Sequence, residues 1–378
     1  MEQRLNWLNE LSKNCEYNPK VVGSNYQPLG LVWSHDLLTL EVTDREFHRG
    51  VYFKRGNSPI VLVAGGRCKR RGILRNDLYQ FRSSLRECLK VRSSCEWSPR
   101  EHFSMLTSPN GQTLYIIGGF DGSIKSDVWV SHDYGGSFTC QTEKAPWEGR
   151  EHFSCTLVGD NTLVVCGGRR AAEELSDVWV SKDGGKCWER ISKKSDWKKR
   201  SGASLIAWRN ELLLVGGSNE VGALDDVWSS EDGGKSWKRR GNSTPWKARH
   251  SFSMVCDPIS SEIVIFGGTG SEGQRYSDVW ASLNGGYSWI PRKSVPEELG
   301  NAAFIVTDEG SLVAVGSRSI KKSISDLSFV KKDSLTVLTL GSRIGIPTEL
   351  WTACVLPFAV DTRQLWNRSN AHWNRLIN

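Results

Sequence analysis

A double glycine returns about every fifty residues along this chain: Gly65-Gly66, Gly118-Gly119, Gly167-Gly168, Gly216-Gly217 and Gly267-Gly268. Each pair closes an apolar run such as Leu114-Tyr115-Ile116-Ile117 or Leu212-Leu213-Leu214-Val215. After a short polar loop comes Asp127-Val128-Trp129, Asp177-Val178-Trp179, Asp226-Val227-Trp228 or Asp278-Val279-Trp280, with a weaker Asp77-Leu78-Tyr79 before them and Asp326-Leu327-Ser328 after. A period of this length built from short strands restricts the chain to a solenoid, a propeller or an array, because one repeat cannot bury its apolar faces without its neighbours.

The stretch from Arg150 to Lys193 displays the unit. The alternation over 152–158 predicts a first strand, and the apolar run 162–166 a second that ends at the glycine pair. Glycine suits that place because it takes positive φ and admits a neighbouring ring or backbone closely. A loop, 169–176, leads to a third strand over 177–181. A turn at Lys182-Asp183-Gly184-Gly185-Lys186 then precedes a fourth that starts at Cys187. Four antiparallel strands make one propeller blade.

With a double glycine after the second strand and spaced aromatics in the third and fourth, residues 45–340 resemble the kelch family. A second signature overlies it. Ser181-x-Asp183-x-Gly185-x-x-Trp188 is similar to the Asp-box turn of sialidases and related propellers, as are Ser131 to Phe138 and Ser230 to Trp237; Ser282 to Trp289 has Asn284 for the aspartate. In such a box a carboxylate bonds backbone N–H groups of its own turn, so Asp183 and Asp232 are structural, like Gly118, Gly119, Gly167, Gly168, Gly216, Gly217, Gly267 and Gly268. The expected fold is all-β, a kelch-like propeller of four-stranded blades over residues 28–365, between an N-terminal extension with a short helix (1–27) and a tail (366–378). Six repeats are countable, the last with Val315-Gly316-Ser317 in place of the glycine pair. Closure has two versions. A blade split between the two chain ends makes seven, the version this reading leans to; otherwise residues 28–42 complete the sixth.

The 378 residues carry 49 Lys and Arg against 42 Asp and Glu, a net charge of +7 too modest to argue for nucleic acid. Ten cysteines show no C-x-x-C pair, and Cys155 and Cys166 replace core residues of other copies, which fits a reducing, cytoplasmic setting. No apolar stretch reaches the roughly 18 residues of a membrane span, and residues 1–20 lack the apolar core of a secretory signal.

A Trp stands three residues ahead of an Arg before each of four first strands: Trp97 and Arg100, Trp147 and Arg150, Trp197 and Arg200, Trp246 and Arg249. The spacing sets four arginines at one height around the ring, expected at a mouth of the central channel. Loops after the glycine pairs share that face and bring Arg67, Arg70, Arg71, Arg169 and Arg170. In kelch substrate adaptors an arginine at this place meets acidic residues of a partner, and Arg200-Ser201-Gly202-Ala203 is similar to such a segment. Guanidinium suits that task through its planar fork of donors. The bland reading pairs these arginines with Glu101, Glu151 or an aspartate of a neighbouring blade and buries the tryptophans between blades, which is the favoured reading for the rings. His102 and His152, at equivalent positions, are short of a zinc site and read as structural.

Catalysis finds little support. The chain has 8 Tyr, none recurring with a His as a copper-radical oxidase requires, and Glu41, Asp44 and His48 miss the iron spacing of nitrile-specifier proteins by one. The expectation is a non-catalytic scaffold without metal or cofactor, a subunit of a larger assembly that binds an acidic protein or peptide through its Arg/Lys face and its Trp-Arg ring. A glycan-binding or sialidase-like propeller is the alternative, motivated by the Asp boxes.

Overall fold

The computed structural model describes residues 30–31, 45–68, 71–82, 87–241, 244–257, 260–292, 303–306 and 311–315. The expected N-terminal helix and the C-terminal tail lie outside them. The described residues are all-β, and five successive repeats form antiparallel sheets of four strands, ordered first to fourth from the axis outward. Blade 1 comprises Arg49–Arg55, Ser58–Cys68, Leu74–Arg82 and Glu87–Arg92, with Arg45–Glu46 added beside Arg67 and Cys68. Blade 2 comprises Ser104–Thr107, Leu114–Phe120, Ile124–Ser131 and Thr139–Thr142. Blade 3 has Ser154–Val158, Thr162–Cys166, Val178–Ser181 and Glu189–Ser192. Blade 4 has Ser204–Trp208, Glu211–Val215, Val227–Ser230 and Lys238–Arg239, and blade 5 has Ser253–Cys256, Ile263–Phe266, Val279–Ser282 and Ile290–Arg292.

The sixth repeat contributes Ala303–Val306 and Ser311–Val315, joined in parallel by Gly30–Leu31 from the other end of the chain. Its first strand neighbours the first strands of blade 5 and of blade 1. Ile305 belongs to the core formed with Val61, Val63, Tyr79 and Phe81 of blade 1, and a Cβ on Gly50 would stand 2.5 Å from its Cδ1. The two ends of the repeat array therefore meet.

The core lies between blades. Leu212 and Leu214 pack with Val164, Cys166, Val178 and Val180 of blade 3, while Leu213 and Val215 of the same strand pack with Ile263 and Ile265 of blade 5. A strand buried on both faces reads as an unbroken apolar run, which is why the second strands stand out in the sequence and alternation is weak. First strands begin later than the alternation predicts. In blade 3 the strand opens at Ser154, because His152 takes φ +52 and turns the chain before the ladder starts.

The glycine pairs hold the blades to one another. Gly167 and Gly168 have φ +59 and +93, and a Cβ on Gly168 would meet Phe153 Cβ at 2.7 Å. The second glycine donates its N–H to the carbonyl of the next blade's arginine, as Gly66 to Arg100, Gly168 to Arg200 and Gly217 to Arg249, each at 2.9 Å. At the opposite ends of the strands the Asp-box turns close on themselves. Gly185 N donates to Ser181 Oγ (2.8 Å) and Cys187 N to Asp183 Oδ1 (2.9 Å), and Asn284 reproduces the pattern in blade 5.

Candidate functional site

The segment ahead of each first strand crosses the glycine-pair face, and there the chain sets one arginine per blade. Arg100, Arg150, Arg200 and Arg249 are 0–1 % exposed. Each guanidinium is engaged on three sides. Nε donates to the carbonyl two residues back, at 3.0–3.2 Å. Nη1 donates to the first glycine of its own blade's pair at 2.8–2.9 Å. Nη1 and Nη2 together grip the aspartate that opens the third strand: Asp127, Asp177, Asp226 or Asp278, at 2.6–2.7 Å and 2.8–2.9 Å. The same aspartates accept the indole N–H of Trp129, Trp179, Trp228 or Trp280.

The expectation of an exposed arginine ring is therefore corrected. These side chains are sealed inside their own blades, and their carboxylates come from the same sheet rather than from a neighbour, because the Asp-Val-Trp aspartate and the glycine carbonyl converge where the third and second strands end. Trp97, Trp147, Trp197 and Trp246 are likewise buried, at 0–2 % exposure, and are corrected as partner-binding candidates. Each stacks under its arginine at 5.6–5.9 Å and meets an Asp-box aromatic, as Trp197 meets Trp237 at 6.1 Å and 87°. Their indole N–H groups find no acceptor among the described residues, so packing alone holds them. Sequence reasoning missed a fifth brace: Arg45, bound to Gly65 O and Asp77. No Trp precedes it by three residues; its signal was Asp77 itself, which required a partner.

What remains accessible on this face is the set of loop cations. Arg67 and Arg169 are each 43 % exposed and pair with Glu101 and Glu151, the latter at 2.9 Å. Arg170 pairs with Glu148, and Arg71 is exposed and forms no ion pair among the described residues. Arg70 lies outside the described residues. Burial raises the Glu101 carboxyl, Arg67 lowers it, and the nearby Glu151 and Glu46 raise it again; the net is upward. One oxygen of Glu101, Oε2, has no hydrogen-bond donor among the described residues.

Phe47, His102, His152, Gly202 and Ser251 occupy equivalent positions, and all have positive φ, from +52 to +64. Their backbones link in sequence around the mouth, Gly202 N to His152 O (2.7 Å) and Ser251 N to Gly202 O (2.8 Å). Phe47, His102 and His152 meet ring to ring, with centroids 4.1 and 3.9 Å apart and planes tilted by 40° and 42°. Burial, the second imidazole and the charge of Arg49 push His102 down to about 2. Burial lowers His152 most, Glu151 raises it and the charges of Arg169 and Arg49 lower it again, to about 4. Both rings are therefore neutral at pH 7 and in contact with each other.

Residues 52–244 match the family model of the KLHDC2/KLHL20/DRC7 Kelch-repeats domain. That is half of the chain, and the protein belongs to this family. No curated protein matches the chain.

Proposed function

We propose that this kelch-repeat propeller is a non-catalytic interaction scaffold that takes an acidic partner on the glycine-pair face, through Arg67, Arg71, Arg169 and Arg170. Kelch domains of this kind are protein-interaction propellers. The observation that carries the reading is the state of the loop arginines. Each guanidinium has five N–H donors, and Arg67 and Arg169 each spend one on a single glutamate oxygen, while about two-fifths of each side chain faces solvent. A partner carboxylate arriving there finds aligned donors already held in place.

The Asp boxes favour this reading over a glycan site, since the carboxylates of Asp133, Asp183 and Asp232 are bound within their own turns. The contacts of Ala303–Val306 with blades 1 and 5 support a ring of six, its last blade shared with Gly30–Leu31.

The test is capture of a partner by the immobilised chain, competed by poly-glutamate, with Arg71→Glu/Arg170→Glu as control. These two sites leave the partners of the buried Glu101 and the half-buried Glu151 in place. Capture that is competed and falls at least tenfold in the variant, at unchanged melting temperature, is the expected result. Capture indifferent to both would remove the basis of the reading.

A further inference from the structure

Blades 2, 3 and 4 place Asp133, Asp183 and Asp232 in their boxes, while blade 5 places Asn284, which Gly285 follows. The asparagine sits as the aspartates do. Its Oδ1 accepts the Ser282 hydroxyl at 3.0 Å and the Ser288 N–H at 2.9 Å, as Asp133 accepts from Ser131 and Ser137 and Asp232 from Ser230 and Ser236. Only the second contact is reversed. Asn284 Nδ2 donates to Ser288 Oγ at 2.8 Å, where Ser137 and Ser236 donate their hydroxyls to the aspartate Oδ2 at 2.8 and 2.6 Å. A serine hydroxyl serves in either direction, so the turn of blade 5 accepts an aspartate by rotating one O–H bond.

Asparagine before glycine is where a main-chain nitrogen reaches the side-chain amide with least hindrance, since glycine carries no Cβ. The chain has two such pairs, Asn110-Gly111 and Asn284-Gly285. They differ at the attacking nitrogen. Gly111 N donates to Ser108 O at 2.8 Å, and a Cβ on that glycine would overlap the Phe53 ring, so its turn is tied and packed. Gly285 N has no acceptor among the described residues, although the same position of the box donates to Gln112 O from Tyr134 and to Asn161 O from Gly184. Asn284 is itself exposed, in an apolar tip whose Leu283 and Tyr287 are 43 % and 63 % exposed, and water reaches its amide.

We infer that Asn284 is a site of spontaneous deamidation, and that the aspartate it yields completes the series of Asp boxes in blades 2 to 5. The nitrogen of Gly285, its proton lost to hydroxide, forms a bond to Cγ of Asn284; the Cγ–Nδ2 bond breaks, ammonia leaves with a proton from water, and a succinimide remains. Water then cleaves the ring between Cγ and the Gly285 nitrogen, which regains its proton. A carboxylate is left on residue 284 with the main chain unaltered. The two hydrogen bonds that Oδ1 accepts draw charge from Cγ and stabilise the oxyanion that attack creates there. In the ring they polarise the same carbonyl and direct water to it, away from the main-chain carbonyl whose opening gives isoaspartate. The carboxylate so formed meets the Ser288 N–H and the hydroxyls of Ser282 and Ser288 in charge-assisted bonds.

The test holds the full chain folded in mildly alkaline buffer and follows the peptides that contain residues 110 and 284 by mass spectrometry, with fragmentation that separates aspartate from isoaspartate. Conversion at Asn284 is expected to run at least about fivefold faster than at Asn110, the margin of one backbone hydrogen bond, with aspartate as the main product. In urea, where neither turn persists, the two asparagines convert at like rates and isoaspartate predominates. The Asn284→Asp variant, which is the product made directly, melts at or above the wild-type temperature. Conversion of the folded chain no faster at Asn284 than at Asn110, a majority of isoaspartate there, or an Asn284→Asp variant that melts below wild type would each overturn the inference.

Discussion

Arg200 and Asp226 face each other within blade 4 in a two-point ion pair of 2.6 and 2.9 Å, and the backbone carbonyl of that same arginine accepts the N–H of Gly168 from blade 3. One residue thereby ties the second and third strands of its own sheet and hooks the previous blade. The recurrence of the brace in five blades explains why Arg, Gly-Gly and Asp-Val-Trp travel together through the sequence.

Acid weakens the fold in two stages. His102 and His152 are held neutral, with folded values of about 2 and about 4, whereas the unfolded chain binds protons at these sites near pH 6.5. The unfolded state therefore binds more protons as pH drops below about 6.5, and stability declines from there. Burial raises Asp177, Asp226 and Asp278, but hydrogen bonds and charge from Arg150, Arg200 and Arg249 more than offset it and hold them below the usual range. Their contribution is complete above about pH 4 and is lost as pH falls through the folded values. In a pH series of urea midpoints, His102→Asn/His152→Asn flattens the upper stage and leaves the lower one; asparagine tolerates the positive φ of both positions. An unaltered profile would show that the two imidazoles do not set it.

Glycine substitution separates freedom of φ from lack of space. Gly168→Ala places a Cβ 2.7 Å from Phe153 Cβ and 3.0 Å from Glu151 O at φ +93, and is expected to cost at least about 2 kcal/mol. Gly56→Ala, at φ +62 with nothing within 4 Å, costs about 1 kcal/mol. Equal losses in chemical denaturation would mean that the close approach of the chain at Phe153, just ahead of the first strand of the same blade, is not what selects glycine at the second place of the pair.

The Asp boxes are expected to matter for stability and not for binding. Asp183→Ala removes the acceptor of Ser181 Oγ and Cys187 N and costs about 1–2 kcal/mol, with partner capture intact. Lost capture at full stability would reassign the box to the interface.

The architecture was legible because its signals are local: a continuous apolar strand, a glycine pair, a turn with an aspartate at fixed spacing. The role of the ring arginines was not. Trp-x-x-Arg gives their height around the ring but says nothing of the direction of the side chain, and the aspartate that claims each one lies 26 to 29 residues downstream, across two strands. The apolar tip of blade 5 was hidden for a related reason. Leu283 and Tyr287 look like ordinary apolar residues of an imperfect Asp box until the turn is seen to project them outward.

The division of labour between buried braces and loop cations is tested most directly by the unfolding free energy of Arg200→Gln in chemical denaturation. Removing one member of a buried, two-point ion pair leaves Asp226 uncompensated, and the account predicts a loss of about 3–5 kcal/mol. A variant as stable as wild type would mean that Arg200 is no brace, and would return the ring arginines to the surface as binding residues.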